Sequence, residues 1–198
     1  MAILEIARMG SPILHQVAVS VEDPASTATA AVVRDMLDTL EDAGGIGIAA
    51  PQVHISKRIV AFSVPETRTG NKPNDCPEHM TVMINPEIEP LGDHRELDWE
   101  ACLSIPDLMG SVPRFTRIKY RWTNLDGTQS ERVADGFHAR VVQHECDHLD
   151  GVLYPMQMRD LSLFGYSEET RHNYNLIRAG SAQAKDDKME SPPGEKKD

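Results

Sequence analysis

The stretch Gln143-His144-Glu145-Cys146-Asp147-His148-Leu149-Asp150-Gly151 decides how this chain is read. Residues four apart on an α-helix share a face, so His144 and His148 can chelate one metal ion if the stretch is helical. The preceding Arg140-Val141-Val142-Gln143 contains no helix breaker. Glu145, beside the first histidine, reaches a water on such a metal, where a carboxylate can take a proton and return it to a leaving amine. The pattern predicts a mononuclear metal site that hydrolyses an amide. Cys146 lies about 160° around the helix from His148 and is expected as a buried thiol facing away from the metal. Two histidines falling at this spacing by chance is the competing explanation, and a third ligand would separate the two.

Moving outward, Asp135 is a natural N-cap for a helix from Gly136 to Leu149, with Phe137, Val141, Val142 and Leu149 as its apolar contacts and Gly151 as its stop. Before it, residues 116–124 and 128–134 are β-prone and are joined by Asp126-Gly127, a strong hairpin turn. Residues 58–64 and 81–84 read as two further strands, separated by a polar loop over 66–79. Nearer the N-terminus, residues 26–43 carry Val32, Val33, Met36, Leu37 and Leu40 at helical spacing and end at Gly44-Gly45, which predicts an amphipathic helix. Ser167, followed by Glu168 and Glu169, reads as one more helix start. Strands and helices mixed without strict alternation predict an α+β fold, with antiparallel sheets packed around a central metal-binding helix.

The 198 residues suit one domain, expected over 1–179, followed by a disordered tail over 180–198 that lacks periodicity and is rich in Lys, Asp, Glu and Pro. A formal charge of −11 argues against a nucleic-acid partner held by broad electrostatics. No run approaches the roughly 20 apolar residues of a membrane span, and residues 1–11 lack a signal-peptide layout, so a cytoplasmic protein with no membrane partner is expected. Three cysteines, Cys76, Cys102 and Cys146, form no disulfide framework and leave thiolates free to bind metal.

For the third ligand, the downstream Glu168, Glu169 and His172 follow a turn at Gly165 and lack the extended spacing of other HExxH enzymes. Cys102, in Glu100-Ala101-Cys102-Leu103-Ser104 between an acidic loop and Pro106, is the better candidate, since zinc accepts a thiolate equally well.

At this point the chain resembles the peptide deformylases. That family carries GxGxAAxQ, EGCLS and QHExDHLxG in order, and here stand Gly45-Ile46-Gly47-Ile48-Ala49-Ala50-Pro51-Gln52, the EACLS stretch, and Gln143 to Gly151. Met9-Gly10-Ser11-Pro12-Ile13-Leu14 and Val112-Pro113-Arg114 extend the likeness over about residues 3–165. The resemblance implies that Cys102, His144 and His148 bind one divalent metal ion, ferrous iron natively, with zinc, nickel or cobalt also accepted by this donor set. It implies that hydroxide generated at the metal attacks the formyl carbon of an N-formylmethionyl peptide, with Glu145 as general base and acid and with the Gln52 amide and the Leu103 backbone N–H holding the oxyanion. Gly45, Ile46, Gly47, Ala101 and Val141 would contact the substrate. The glycines would let backbone approach an extended peptide closely. Glu100 is a candidate for orienting a metal-bound histidine, and Arg114 with Asp147 a candidate ion pair.

The chain departs from the family pattern at three places. Ala101 stands where EGCLS has glycine; a negative φ is expected there, in which case the methyl only narrows the site. Met109 cannot supply the charge of the arginine some relatives have at that position. Residues 181–198 mix four lysines with five acidic residues, which argues against docking on the ribosome through a basic tail, although nascent chains there remain the expected substrates. The alternatives are an HExxH metallopeptidase and a catalytically inactive metal- or peptide-binding homologue.

Overall fold

The structure is a computed structural model, and it describes residues 2–170. The expected tail over 180–198, and His172, lie outside the described residues. Helix α1 (Thr27–Ala43) forms as its periodicity predicts: the Ser26 side chain accepts from the Thr29 N–H at its start, and Gly44, at φ 64°, closes its end with its N–H on the Glu41 and Leu40 carbonyls. Strand β1 (Gly47–Ala49) and strand β2 (Ile59–Val64) follow.

Strand β3 (Glu78–Pro90) is much longer than the four residues predicted. Its pairing with β2 shifts between Phe62 and Val64, and its pairing with strand β6 (Arg117–Thr123) shifts between Ile84 and Glu87. The second shift holds Asn85 at φ 50° and Pro86. That irregularity breaks the alternation on which the shorter reading rested. Strand β4 (Arg95–Cys102) and strand β5 (Ile105–Phe115) form an antiparallel pair. The segment before Cys102 was expected as an acidic loop; it is a strand, and its charged residues are partnered from within the fold. Strand β6 (Arg117–Thr123) and strand β7 (Gln129–Asp135) make the predicted hairpin. Helix α2 (Gly136–Leu149), the short α3 (Tyr154–Gln157) and strand β8 (Phe164–Tyr166) complete the elements, and residues 167–170 are helical, as the Ser167 start predicts.

The strands make two antiparallel sheets, one in the order β1-β2-β3-β6-β7 and one in the order β4-β5-β8. Helix α2 lays Val142, Cys146 and Leu149 on Phe62 and Tyr120 of the larger sheet. Each such aliphatic or aromatic side chain contributes roughly 1.5–3 kcal/mol by leaving water. Helix α1 covers another part of that sheet with Val33, Met36 and Leu40 against Ile48, Ile59 and Ile84. The observed architecture is the expected α+β arrangement, with α2 between the sheets. Among the described residues no helix is long and apolar enough to cross a membrane.

The start of α2 differs from expectation in one respect. Asp135 occupies the N-cap position, but its carboxylate makes no cap bond and instead accepts from the N–H and side chain of Asn74. The cap comes from across the fold: Asp75 Oδ1 accepts from the His138 N–H at 3.1 Å, and Oδ2 accepts from the Gly70 N–H at 2.8 Å. A Cβ at Gly136 would meet Asp75 Oδ2 at 2.2 Å, so glycine is needed where the loop closes on the helix. The polar loop after β2 is thereby strapped to the first turn of α2.

Candidate active site

Helix α2 presents His144 and His148 side by side, with ring centroids 5.2 Å apart, and the last residue of β4, Cys102, faces them. One ligand atom from each of Cys102, His144 and His148 lies within 4.8 Å of the others, and Cys102 Sγ is 3.4 Å from His148 Nε2. His144 Nδ1 is held by Glu100 Oε2 at 2.8 Å, which fixes that ring and leaves Nε2 directed to the cluster. His148 Nδ1 is buried with no partner among the described residues. One soft thiol sulfur and two imidazole nitrogens, clustered with Cys102 and His148 buried and His144 partly so, are a donor set that fits a divalent transition metal.

Around this cluster lies a network of buried charge. Glu100 accepts two bonds from Arg114, at 2.8 and 2.9 Å, one from Arg140 at 2.8 Å and the one from His144. Burial alone would raise the Glu100 carboxyl, but Arg114 and His144 hold it well below the usual carboxylate range. Arg114 also donates to Asp147 at 2.6 Å, so the ion pair considered from sequence is present. Arg140 further donates to the carbonyls of Glu96, Asp98 and Val112, which ties α2 to both strands of the β4–β5 pair.

Glu145 is buried, and its Oε2 has no partner among the described residues. Burial pushes its carboxyl up to about 7. A Cβ at Gly47 would sit 2.2 Å from Glu145 Oε1, and one at Gly45 would meet Leu40 and Leu103 side-chain carbons at 2.9 and 3.1 Å. The two glycines therefore make room for protein neighbours, a more specific reason than the approach to a peptide expected from sequence. Gln52 is buried with its Oε1 on the Ala49 N–H at 2.8 Å and its Nε2 directed at Cys102 Sγ and Ser104 Oγ, 3.4 and 3.1 Å away.

A cavity of about 570 Å³ opens over these groups. Gln52, Cys102, Leu103, His144 and Glu145 line it, and so do all five residues expected at the substrate: Gly45, Ile46, Gly47, Ala101 and Val141. His148 stands behind the wall. Ala101 is exposed there without a positive φ, so its methyl narrows the cavity and strains nothing. Both walls are sheet edges, because β1 ends the five-stranded sheet and β4 ends the three-stranded one. Cys146, as expected, turns away and is buried on the core side, where burial pushes its thiol up.

Sequence reasoning missed Arg140, Phe137 and Arg68, which also line the cavity. Arg140 was accessible in principle: it lies four residues before His144, and that spacing shares a face. Arg68 sits on the loop after β2, which no local pattern connects to α2.

The comparisons with known proteins agree with this geometry. The family model described as polypeptide deformylase matches residues 3–163. A peptide deformylase of Bordetella pertussis is 46% identical over 163 residues, covering 82% of this chain and 92% of that protein. One of Nitrosomonas europaea is 44% identical over the same length, with the same coverage of both chains. Among solved structures, a Met-Ala-Ser-bound class I type b peptide deformylase from Acinetobacter baumannii superposes with a TM-score of 0.70 at 37% identity, covering 78% of this chain and 99% of that one. The chain belongs to the polypeptide deformylase family, metal-dependent hydrolases that act on formylated nascent peptides.

Proposed function

We propose that Cys102, His144 and His148 hold one divalent metal ion, and that Glu145, Gln52 and the Leu103 N–H complete a site that removes the formyl group from N-formylmethionyl peptides. The observation that carries this reading is the meeting of the three ligand atoms within 4.8 Å beside the buried, unpartnered Glu145 oxygen. A divalent ion on this donor set supplies Lewis-acid polarisation and lowers the pKa of a water from about 15.7 toward about 7.

The chain's own groups do the rest. Glu145 accepts the proton of the attacking water and returns it to the peptide nitrogen as the C–N bond breaks, so one water is consumed and formate leaves a free amino terminus. The Gln52 side-chain amide and the Leu103 N–H donate to the oxygen on which negative charge builds, a role worth about 2.7–4 kcal/mol per donor elsewhere. Ile46 and Val141 offer apolar walls to the methionine side chain. The β1 and β4 edges, through Gly45, Gly47 and Ala101, offer main-chain partners to an extended peptide.

Ferrous iron is the proposed native ion, although zinc, nickel and cobalt suit the same thiolate and imidazoles. The proposed setting is the cytoplasm, with nascent chains as substrates and without ribosome docking through the tail. Residues 1–179 are the proposed catalytic domain, which the family match over 3–163 supports.

Turnover of formyl-Met-Ala-Ser with metal analysis of anaerobically purified protein tests this reading. Glu145→Gln is expected to keep the metal and lose at least about 100-fold in formate release. Substantial residual turnover would overturn the role of Glu145. Cleavage of internal bonds without formate would favour the metallopeptidase alternative.

A further inference from the structure

Arg140 lines the cavity and takes no part in the proposed reaction, yet it is buried and bonded through both terminal nitrogens. It stands one turn before His144 on the same face of α2 and reaches across to the neighbouring sheet. Its Nη1 donates to Glu100 Oε1 and to the Val112 carbonyl, each at 2.8 Å, and its Nη2 donates to the Glu96 carbonyl at 2.7 Å. The Asp98 carbonyl stands 3.4 Å from Nη1. Acceptors from two paired strands thus converge on one guanidinium, a planar fork of fixed shape.

What those bonds hold is the edge of β4. Helix α2 rests on the five-stranded sheet through apolar packing, whereas β4 belongs to the other sheet. The groove between the β1 and β4 edges is therefore bounded by two separate sheets, and its width depends on what ties β4 to α2. At the cavity, Arg140 and His144 supply such ties through one carboxylate: Arg140 bonds to Glu100 Oε1 and His144 Nδ1 to Oε2. Gln143 and Asp147 line a different cavity and bond instead to β5, at Phe115 and Arg114. Ala101, the proposed main-chain partner of the peptide, and Cys102 directly follow Glu100 in β4. A clamp on Glu96 and Glu100 sets where both of them stand.

We propose that Arg140 is a positioning residue for the peptide main chain: by holding β4 to α2 it sets the separation of the β4 edge from the β1 edge, between which the extended peptide lies. The assignment rests on the site reading given above, in which the methionine side chain meets Ile46 and Val141 and the backbone beyond it runs along the two edges. Main-chain hydrogen bonds tolerate little error in length, so an edge displaced by about 1 Å forfeits most of them.

The test compares kcat/KM for formyl-Met amide and formyl-Met-Ala-Ser amide on the metal-loaded enzyme. Both bring a formyl group and a methionine side chain to the site, and the longer one alone extends main chain along the edges. The wild type is expected to favour the longer peptide by about tenfold, the scale of one or two main-chain hydrogen bonds, with the gain in KM. Arg140→Met should bring the ratio to within about twofold of one. Arg140→Lys keeps a cation for Glu100 on a single nitrogen and should fall between. Loss of fold, of metal or of His144 orientation lowers turnover of both substrates by one factor and cancels in the ratio. Val142→Ala, destabilising on the opposite face of α2, should therefore keep the wild-type ratio. The deformylated peptides, bound without turnover, should reproduce in Kd the change seen in KM. A wild-type ratio that survives in Arg140→Met would overturn the assignment; should that variant not fold, a wild-type ratio in Arg140→Lys overturns it equally. A wild type without preference would remove the edges as partners of the peptide, and the assignment with them. Absence of formate from both substrates would sink the underlying site reading, an outcome distinct from equal turnover.

Discussion

The two faces of α2 are built on opposite principles. Toward the five-stranded sheet the helix presents His138, Ala139, Val142, Cys146 and Leu149, packed on strand side chains. Toward the cavity and the three-stranded sheet it presents Arg140, His144 and Glu145, nearly all buried and most held by charged hydrogen bonds. The first face holds the helix in place by excluding water without orienting any one atom. The second fixes single atoms, since Glu100 alone ties Arg114, Arg140 and His144 to one carboxylate. Stability and site geometry are thus assigned to different sides of one element, and substitutions on each side should fail differently.

The largest effect is expected from Glu100→Ala. It leaves Arg114 and Arg140 buried without their shared carboxylate, and breaking a buried pair in this way costs about 3–5 kcal/mol. It also frees the His144 ring, which should weaken metal affinity about 10–100-fold. Urea unfolding of the metal-free protein and competition with a chelator measure the two losses separately. A variant that loses stability but keeps its metal affinity would show that Glu100 does not orient His144.

On the other face, Val142→Ala removes two methyl groups from a fully buried position and should cost about 2 kcal/mol. Its metal affinity should stay within about twofold of wild type. If affinity fell as it does for Glu100→Ala, the two faces would not be separable and the contrast would collapse.

That contrast also explains what could be read in the sequence. The apolar face of α2, the apolar stripe of α1 and the Asp126-Gly127 hairpin all obey a local period, so their residues announce them. The motif at residues 143–151 did the same for the histidines, the stretch between an acidic loop and Pro106 offered Cys102 as third ligand, and family resemblance drew in Gln52. Strands β4 and β5 did not announce themselves, because Glu100 and Arg114 are charged residues at buried strand positions and their partners lie 14 to 44 residues away. A pattern that equates charge with exposure reads such a strand as loop. The Asp75 cap was hidden for the same reason: Asp135 stands at the right local position, and the carboxylate that does the work comes from 63 residues before His138.

His138 is the polar exception on the apolar face, and it supplies the smallest effect. Its Nε2 meets the Tyr120 hydroxyl at 2.9 Å, its Nδ1 meets the Cys76 carbonyl at 3.1 Å, and Asp75 and Arg132 lie close enough to act on its charge. Burial is the largest influence and lowers its pKa below the ordinary 6.5; Arg132 lowers it further, while the Cys76 carbonyl and Asp75 act the other way. The imidazole in the unfolded chain titrates near 6.5, so below that pH the unfolded state binds the extra proton first. His138 therefore contributes full stability above about pH 6.5 and loses it as the pH falls toward its folded pKa. The ligand histidines and carboxylates titrate as well, so the measurement is a difference: unfolding free energy of wild type minus that of His138→Asn, followed from pH 8 to 5. The difference should be constant above about 6.5 and shrink below it. A difference that stays flat would mean that His138 takes up its proton as readily in the folded protein as in the unfolded chain, and one that grows as the pH falls that it does so more readily; in either case the core face of α2 would carry a charge of its own at low pH.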